Sequence, residues 1–190
     1  MNNYIAITEE DFRTIFVEKI TEFYDEESQL LEDDLCERAL VFRIGCHLHN
    51  AFDGCSVYCE YNKAHGGIEV TPKQIRHEEK SRLVYPDVII FSDVEEGSDA
   101  NKIVVEVKKI TNRCDWSLDI DKLRYFTQDP YGYDTGYHLI LGKSYFILCL
   151  YEHGNLVSAE KYDKVSNQWI PSHAGDIEYA NAKDLIGAFR

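Results

Sequence analysis

The chain has little proline, four residues in 190, and a single methionine. It also has no apolar run near the ~20 residues that a membrane-spanning helix requires. Its longest, YFILCLY at residues 145–151, has the length of a buried strand. No basic stretch followed by an apolar one opens the chain, so no secretory leader is visible and a soluble, cytoplasmic protein without membrane contact is expected. The six cysteines, at 36, 46, 55, 59, 114 and 149, form no CxxC unit and no Cys/His set at zinc spacing. They are expected to be reduced thiols filling small apolar spaces. There is no internal repeat, low-complexity tract or interdomain linker, and residues 1–190 are read as one domain.

Cations are scarce as well. Twenty Lys and Arg stand against 34 Asp and Glu, a net charge of −14. Strong sequence-independent binding to duplex DNA requires a basic footprint, and this balance argues against one. The deficit is local, because residues 1–37 hold 12 acidic and two basic residues while the rest of the chain contributes only −4. Hydrophobic residues at 44% and aromatics at 13% are enough for a substantial core.

Thr8 is placed to cap a helix whose apolar positions Phe12, Ile15, Phe16, Ile20, Phe23 and Tyr24 recur at three- and four-residue steps. Residues 1–27 thus read as an acidic amphipathic helix. The pattern resets near Asp25–Ser28, and a second helix is expected to run to about Asn50, with Gly54 as a stop. In that second helix Glu37 lies in line with Val41, Ile44 and Leu48. It either sits at the edge of the apolar stripe, paired with Arg38 or water, or is held inward for a purpose. CSVYCEY at 55–61 reads as a strand ending in Glu60. Residues 62–82, with Gly66-Gly67, Lys63, Lys73, Arg76, Lys80, Arg82, His65 and His77, are locally basic in an acidic chain. They are either a loop or hairpin that approaches phosphates or a solvated excursion with balanced charge.

Residues 84–109 organise the rest. Two Val/Ile-rich runs, VYPDVIIF and KIVVEVKK, flank the turn-prone SDVEEGSDAN. Alternation along the second run puts Ile103, Val105 and Val107 on one face and Val104, Glu106 and Lys108 on the other. Asp87 shares a face with Ile89 and Phe91, so hairpin-like pairing would bring it beside Glu106. Carboxylates held close together repel unless a divalent cation binds both. Mg²⁺ suits them, since it takes one or two carboxylates and leaves its other positions to water and phosphate. Taken alone, Glu106 and Lys108 also suit a surface ion pair. Further on, Asp115 is placed to cap a helix bearing Trp116, Ile120, Leu123 and Thr127 on one side, with Lys122 and Tyr125 three residues apart. Strands are expected at 137–141 and 145–151, followed by a peripheral hairpin and a short terminal helix at 152–190.

With helix, strand, strand, strand, helix and strand in this order, the chain resembles the PD-(D/E)XK superfamily, the restriction-endonuclease-like nucleases. The resemblance is carried by Pro86-Asp87 and Glu106-Val107-Lys108 and covers residues 28–151. It implies an α/β fold with an αβββαβ core, a central mixed sheet flanked by helices, here with an added N-terminal helix and C-terminal hairpin and helix. The implied activity is Mg²⁺-dependent hydrolysis of phosphodiester bonds in nucleic acid, DNA being the expected substrate, with Mn²⁺ as a substitute metal and a 5′-phosphate and 3′-hydroxyl as products. The resemblance assigns the metal to Asp87 and Glu106, helped by the Val107 carbonyl, and assigns positioning of the attacking water to Lys108. Glu37 matches the additional helical glutamate of many members, and Glu60 is a further candidate ligand. Lys73, Arg76, Lys80, Arg82 and Lys122 are the candidate nucleic-acid contacts; for Lys122 a solvated helix lysine is the competing reading.

A reading from another class is held beside it. The chain could be a non-catalytic binding or regulatory protein on the same fold, its acidic surface docking on a basic partner or mimicking DNA. Acidity also suggests that a nuclease of this composition binds its substrate through a homodimer, a partner protein or the 63–82 segment.

Overall fold

The computed structural model describes residues 8–61, 73–78, 80–172 and 179–189. Lys63, His65 and Gly66-Gly67 lie outside the described residues. Among the described residues no helix is long and apolar enough to cross a membrane.

The chain opens with α1 (Glu9–Glu26), α2 (Ser28–Glu32) and α3 (Glu37–Leu48). Thr8 starts α1 through a capping box: its hydroxyl accepts the Asp11 N–H at 3.2 Å, and the Asp11 carboxylate accepts the Thr8 N–H at 3.0 Å. The spacing of Phe12, Phe16, Ile20, Phe23 and Tyr24 buries all five, with Phe16 stacked on Tyr137 at 4.3 Å and 9°. The Tyr24 hydroxyl donates to the Gly142 carbonyl at 2.9 Å.

The second helix is not continuous. Its pattern breaks at residues 33–36, where Asp34 adopts φ 55°. The break leaves Glu32 in the last turn of α2, which holds no basic residue, so the helix dipole does not explain the stop. The break turns Glu37 into the first residue of α3, where a carboxylate is favoured. That helix ends at His49 and Asn50, the latter at φ 62°, ahead of Gly54. It approaches the sheet closely at Gly45, where a Cβ would come within 2.6 Å of Cys59 Sγ.

The strands are β1 (Cys55–Cys59), β2 (Gln74–His77), β3 (Lys80–Leu83), β4 (Val88–Ser92), β5 (Asn101–Lys109), β6 (Thr135–Leu141), β7 (Tyr145–Glu152), β8 (Asn155–Asp163) and β9 (Gln168–Pro171). Helix α4 (Ser117–Phe126) joins β5 to β6, and α5 (Ala182–Gly187) follows β9. A seven-stranded sheet runs β1-β4-β5-β6-β7-β8-β9, while β2 and β3 form a separate hairpin. Among the described residues only β5 and β6 pair in parallel, as a crossover through α4 requires. The architecture is therefore mixed α/β, with a central, mostly antiparallel sheet flanked by helices. The strand begun at Cys55 stops at Cys59, one residue before Glu60. The C-terminal hairpin of β8 and β9 extends the main sheet at one edge. Helix α4 starts without a side-chain cap at Trp116, although the Asp115 carboxylate accepts the Ser117 N–H at 2.9 Å.

Two cores form, one on each side of the sheet. Ile103, Val105 and Val107 join α1 and α3, whereas Ile89, Phe91 and Val104 join Trp116, Ile120 and Leu123 of the α4 side. Strands β4, β5 and β6 are consequently buried on both faces along most of their length, which buries Glu106, while Lys102, Lys108 and Lys109 of β5 stay half-buried. All six cysteines are free thiols.

Because Phe16 has no exposed surface, Phe16→Ala is expected to cost about 3–5 kcal/mol in urea unfolding. A cost below ~1 kcal/mol would make α1 a detachable docking element instead of core.

Candidate functional site

The β4–β5 register pairs Val88 with Val105, so its next step sets Asp87 opposite Glu106. The Val107 N–H donates to Asp87 Oδ2 at 2.7 Å, fixing that carboxylate at the sheet's end. Glu106 has no exposed surface. Its Oε2 accepts a short charge-assisted bond from Lys122 of α4, and its Oε1 is buried with no hydrogen-bond partner among the described residues.

The charges continue as an alternating chain. Lys122 Nζ also lies 2.9 Å from Asp119 Oδ1, and Lys108 Nζ lies 3.1 Å from Asp119 Oδ2 and 3.4 Å from Glu37 Oε2. The other Glu37 oxygen accepts the Lys109 N–H at 3.1 Å and Asn112 Nδ2 at 2.7 Å. Four carboxylates thus surround two ammonium groups, and the cluster keeps an excess of negative charge.

Burial is the largest influence on Glu106 and drives its pKa well above the ordinary value; Lys122 pulls it back, and Asp87 and Asp119 push it up again. Asp87 is also raised by burial, against the pull of Lys122 and the Val107 N–H. For Lys122 and Lys108 burial opposes the charge, yet Glu106 and Asp119 hold the first, and Asp119 and Glu37 the second, above the usual lysine range. Asp119 is opposed by burial but held low by Lys122 and Lys108. Both lysines and Asp119 are therefore charged, while Glu106 and Asp87 bear the repulsion.

The carboxylates fit a hard cation in part. Glu106 Oε1 is an unsatisfied buried acceptor beside a second carboxylate, which is how an oxygen set for Mg²⁺ looks. Among the described residues, though, no three His, Cys, Asp or Glu side chains converge as a metal-holding group. Asp87 and Glu106 would have to share the ion with water, as Mg²⁺ sites commonly do.

The other expected residues separate. Glu37 does not pair with Arg38; it turns inward to Lys108, Lys109 and Asn112. Glu60 adopts φ 51° and pairs with Arg38 at 2.8 Å in solvent. Only its backbone adjoins the site, the Glu60 N–H donating to the Asp87 carbonyl at 3.0 Å. Lys122 is neither solvated nor on a free surface. Lys73 is buried, at 1% exposure, its ammonium donating to the Tyr133 hydroxyl at 2.8 Å over the rings of Tyr61, Phe126 and Tyr133. It cannot present charge to a nucleic acid from there. Arg76 and Lys80 are exposed on the β2–β3 hairpin, and Arg82 pairs with Glu78 at 3.1 Å.

Asp119, Asn112 and His138 were not anticipated. Asp119 had a signal, an acid three residues before a lysine on a helix face with apolar neighbours. His138 had none, because β6 reads as an ordinary core strand. It pairs with Glu106 in the β5–β6 register, sits 2.8 Å through Nδ1 from the Tyr179 hydroxyl, and leaves Nε2 buried without a partner among the described residues. Burial pushes its pKa down to about 3, so the imidazole is neutral.

No protein-family model, no curated protein and no solved structure matches this chain.

Losing Lys122 while Glu106 stays buried removes its counter-ion, and Lys122→Met is expected to cost about 3–5 kcal/mol. Adding Glu106→Gln should restore most of it; urea unfolding of the two variants checks this, and equal losses would dissolve the pair. For Lys73, burial pushes the pKa down to about 7 from 10.5. Between those values the unfolded chain binds the extra proton, so this residue makes stability rise with pH. Wild type should gain stability between pH 7 and 10 relative to Lys73→Met, read by thermal melting; parallel curves would show that Lys73 is charged in the fold.

Proposed function

We propose that this chain is a Mg²⁺-dependent nuclease of the PD-(D/E)XK type, hydrolysing phosphodiester bonds in nucleic acid, with DNA as the substrate to test first. The observation that carries the reading is the facing of Asp87 and Glu106 across the β4–β5 register, with Glu106 Oε1 buried and unpartnered among the described residues. The element order α3, β1, β4, β5, α4, β6 is compatible with an αβββαβ core having the β2–β3 hairpin inserted.

Asp87 and Glu106 would hold Mg²⁺, with the Val107 carbonyl as a further oxygen. When bound, the ion supplies a water of lowered pKa and neutralises charge on the phosphoryl oxygens. Lys108 holds its ammonium on the Glu106 face of β5, where it orients the attacking water and offsets negative charge developing on the phosphate. Glu37 and Asp119 fix that ammonium from two sides and keep it protonated. Lys122 balances Glu106 when no other cation does.

That Lys122 contact, with the absence of a three-residue metal group among the described residues, favours a second reading: a non-catalytic binding protein whose charge chain is structural. Its docking surface would be the wet face of α1, where Glu9, Glu10, Glu18, Glu22, Asp25 and Glu26 are exposed.

Labelled plasmid and oligonucleotides, incubated with Mg²⁺, Mn²⁺ or EDTA, distinguish the two. EDTA-sensitive cleavage is expected for wild type, with loss in Glu106→Ala and a fall of about 10²–10³ in kcat for Lys108→Ala. Silent wild type with every substrate, and no metal uptake by calorimetry, would overturn the nuclease reading.

A further inference from the structure

We infer that the cleft between the segment following β5 and helix α5 holds phosphates of the substrate strand next to the scissile one, with Arg113 and Lys183 as its anion-binding residues. The inference rests on the nuclease reading above and assigns that site the phosphate contacts that Lys73 cannot make.

The cleft has a volume of about 970 Å³ and runs between residues 110–115 and 180–187. Arg113 and Lys183 line it, and both are exposed. Among the described residues many cations are held by carboxylates, including Arg13, Lys19, Arg38, Arg43, Lys102 and Lys143. Arg113 and Lys183 have no carboxylate within ion-pair distance among the described residues, and they share one wall-to-wall space. The acid in the lining, Asp115, has local partners: its oxygens accept the Ser117 N–H at 2.9 Å and the Ser117 hydroxyl at 3.0 Å. The lining residues thus carry two cations against the single Asp115 carboxylate.

Position links the cleft to the candidate chemistry. Asn112, another lining residue, donates to Glu37 at 2.7 Å, and Glu37 in turn meets Lys108 at 3.4 Å. One side chain separates the cleft wall from the lysine proposed to face the scissile phosphate. A polyanion with one phosphate at Lys108 can continue into the cleft without crossing the acidic α1 surface on the other side of the sheet. Arg113 provides a fork that matches two phosphate oxygens, and Lys183 a mobile point charge.

The test is fluorescence anisotropy of labelled single-stranded and duplex oligonucleotides in EDTA over a salt titration, paired with KM and kcat for cleavage in Mg²⁺. The variants are Arg113→Ala/Lys183→Ala and, as a control of equal charge change, Lys19→Ala/Lys143→Ala. The cleft variant should bind roughly tenfold or more weakly than the control. Its slope of log affinity against log salt should flatten by ~1.4 on a single strand or ~1.8 on duplex, with the kinetic loss in KM more than kcat. If wild type binds and cleaves while the cleft variant matches the control, the cleft assignment is overturned and the nuclease reading stands. If wild type neither binds nor cleaves, both fall.

Discussion

A carboxylate with no exposed surface must be neutralised, and the arrangement around Glu106 follows from that requirement. Lys122 supplies the counter-charge, but an ammonium at that depth needs acceptors of its own, and Asp119 provides one. Asp119 then holds Lys108, and Lys108 meets Glu37, so the compensation passes from β5 to α4, back to β5 and on to α3. Pairwise ion contacts at a protein surface contribute little. Here the members are mostly buried, and removing any one leaves its neighbour uncompensated. The chain still ends with more carboxylates than ammonium groups. Either Glu106 takes up a proton or another cation completes the set, and the orphaned Oε1 marks where the deficit is felt.

The backbone reaches this arrangement through small local decisions. The helix breaks where Asp34 takes left-handed backbone, and the break places Glu37 at the start of α3, facing the end of β5. Lys109 anchors the turn from the other side, reaching the Asp34 carboxylate and the Leu35 carbonyl, the latter at 2.9 Å. Asp87 sits just before β4, outside the run that both cores bury, so its carboxylate can turn back onto the Val107 N–H. Charge patterning that looks like solvation in the sequence therefore acts as a set of clasps.

Much of this was legible beforehand. Alternation in KIVVEVKK separated the two faces of β5 correctly, and the Asp87–Glu106 facing followed from antiparallel pairing of the two runs. The apolar stripe of α1, of which five positions are buried, and the strand after Gly142 were equally plain. Long-range compensation was not. Nothing local says that Lys122 points into the sheet, since a lysine on an amphipathic helix is ordinarily wet, and nothing says that Lys73 folds under three aromatic rings from distant segments. At Glu60 one residue of left-handed backbone directs the side chain to Arg38, which the strand pattern does not announce. Periodicity reports which face a residue occupies; the partner across the space comes from tertiary packing, which no window of sequence contains.

The bond between the Tyr24 hydroxyl and the Gly142 carbonyl joins positions 118 residues apart. On a ribosome adding ~5–20 residues per second, α1 emerges roughly 6–24 s before β6 and its following turn exist to receive it. Its five aromatic and aliphatic side chains then have no sheet to cover them, and the negative charge between them opposes association of like chains. The acidity concentrated in residues 1–37 thus has a use during synthesis that ends once the helix docks, as a solubilising guard on the most sticky surface of the unfinished chain.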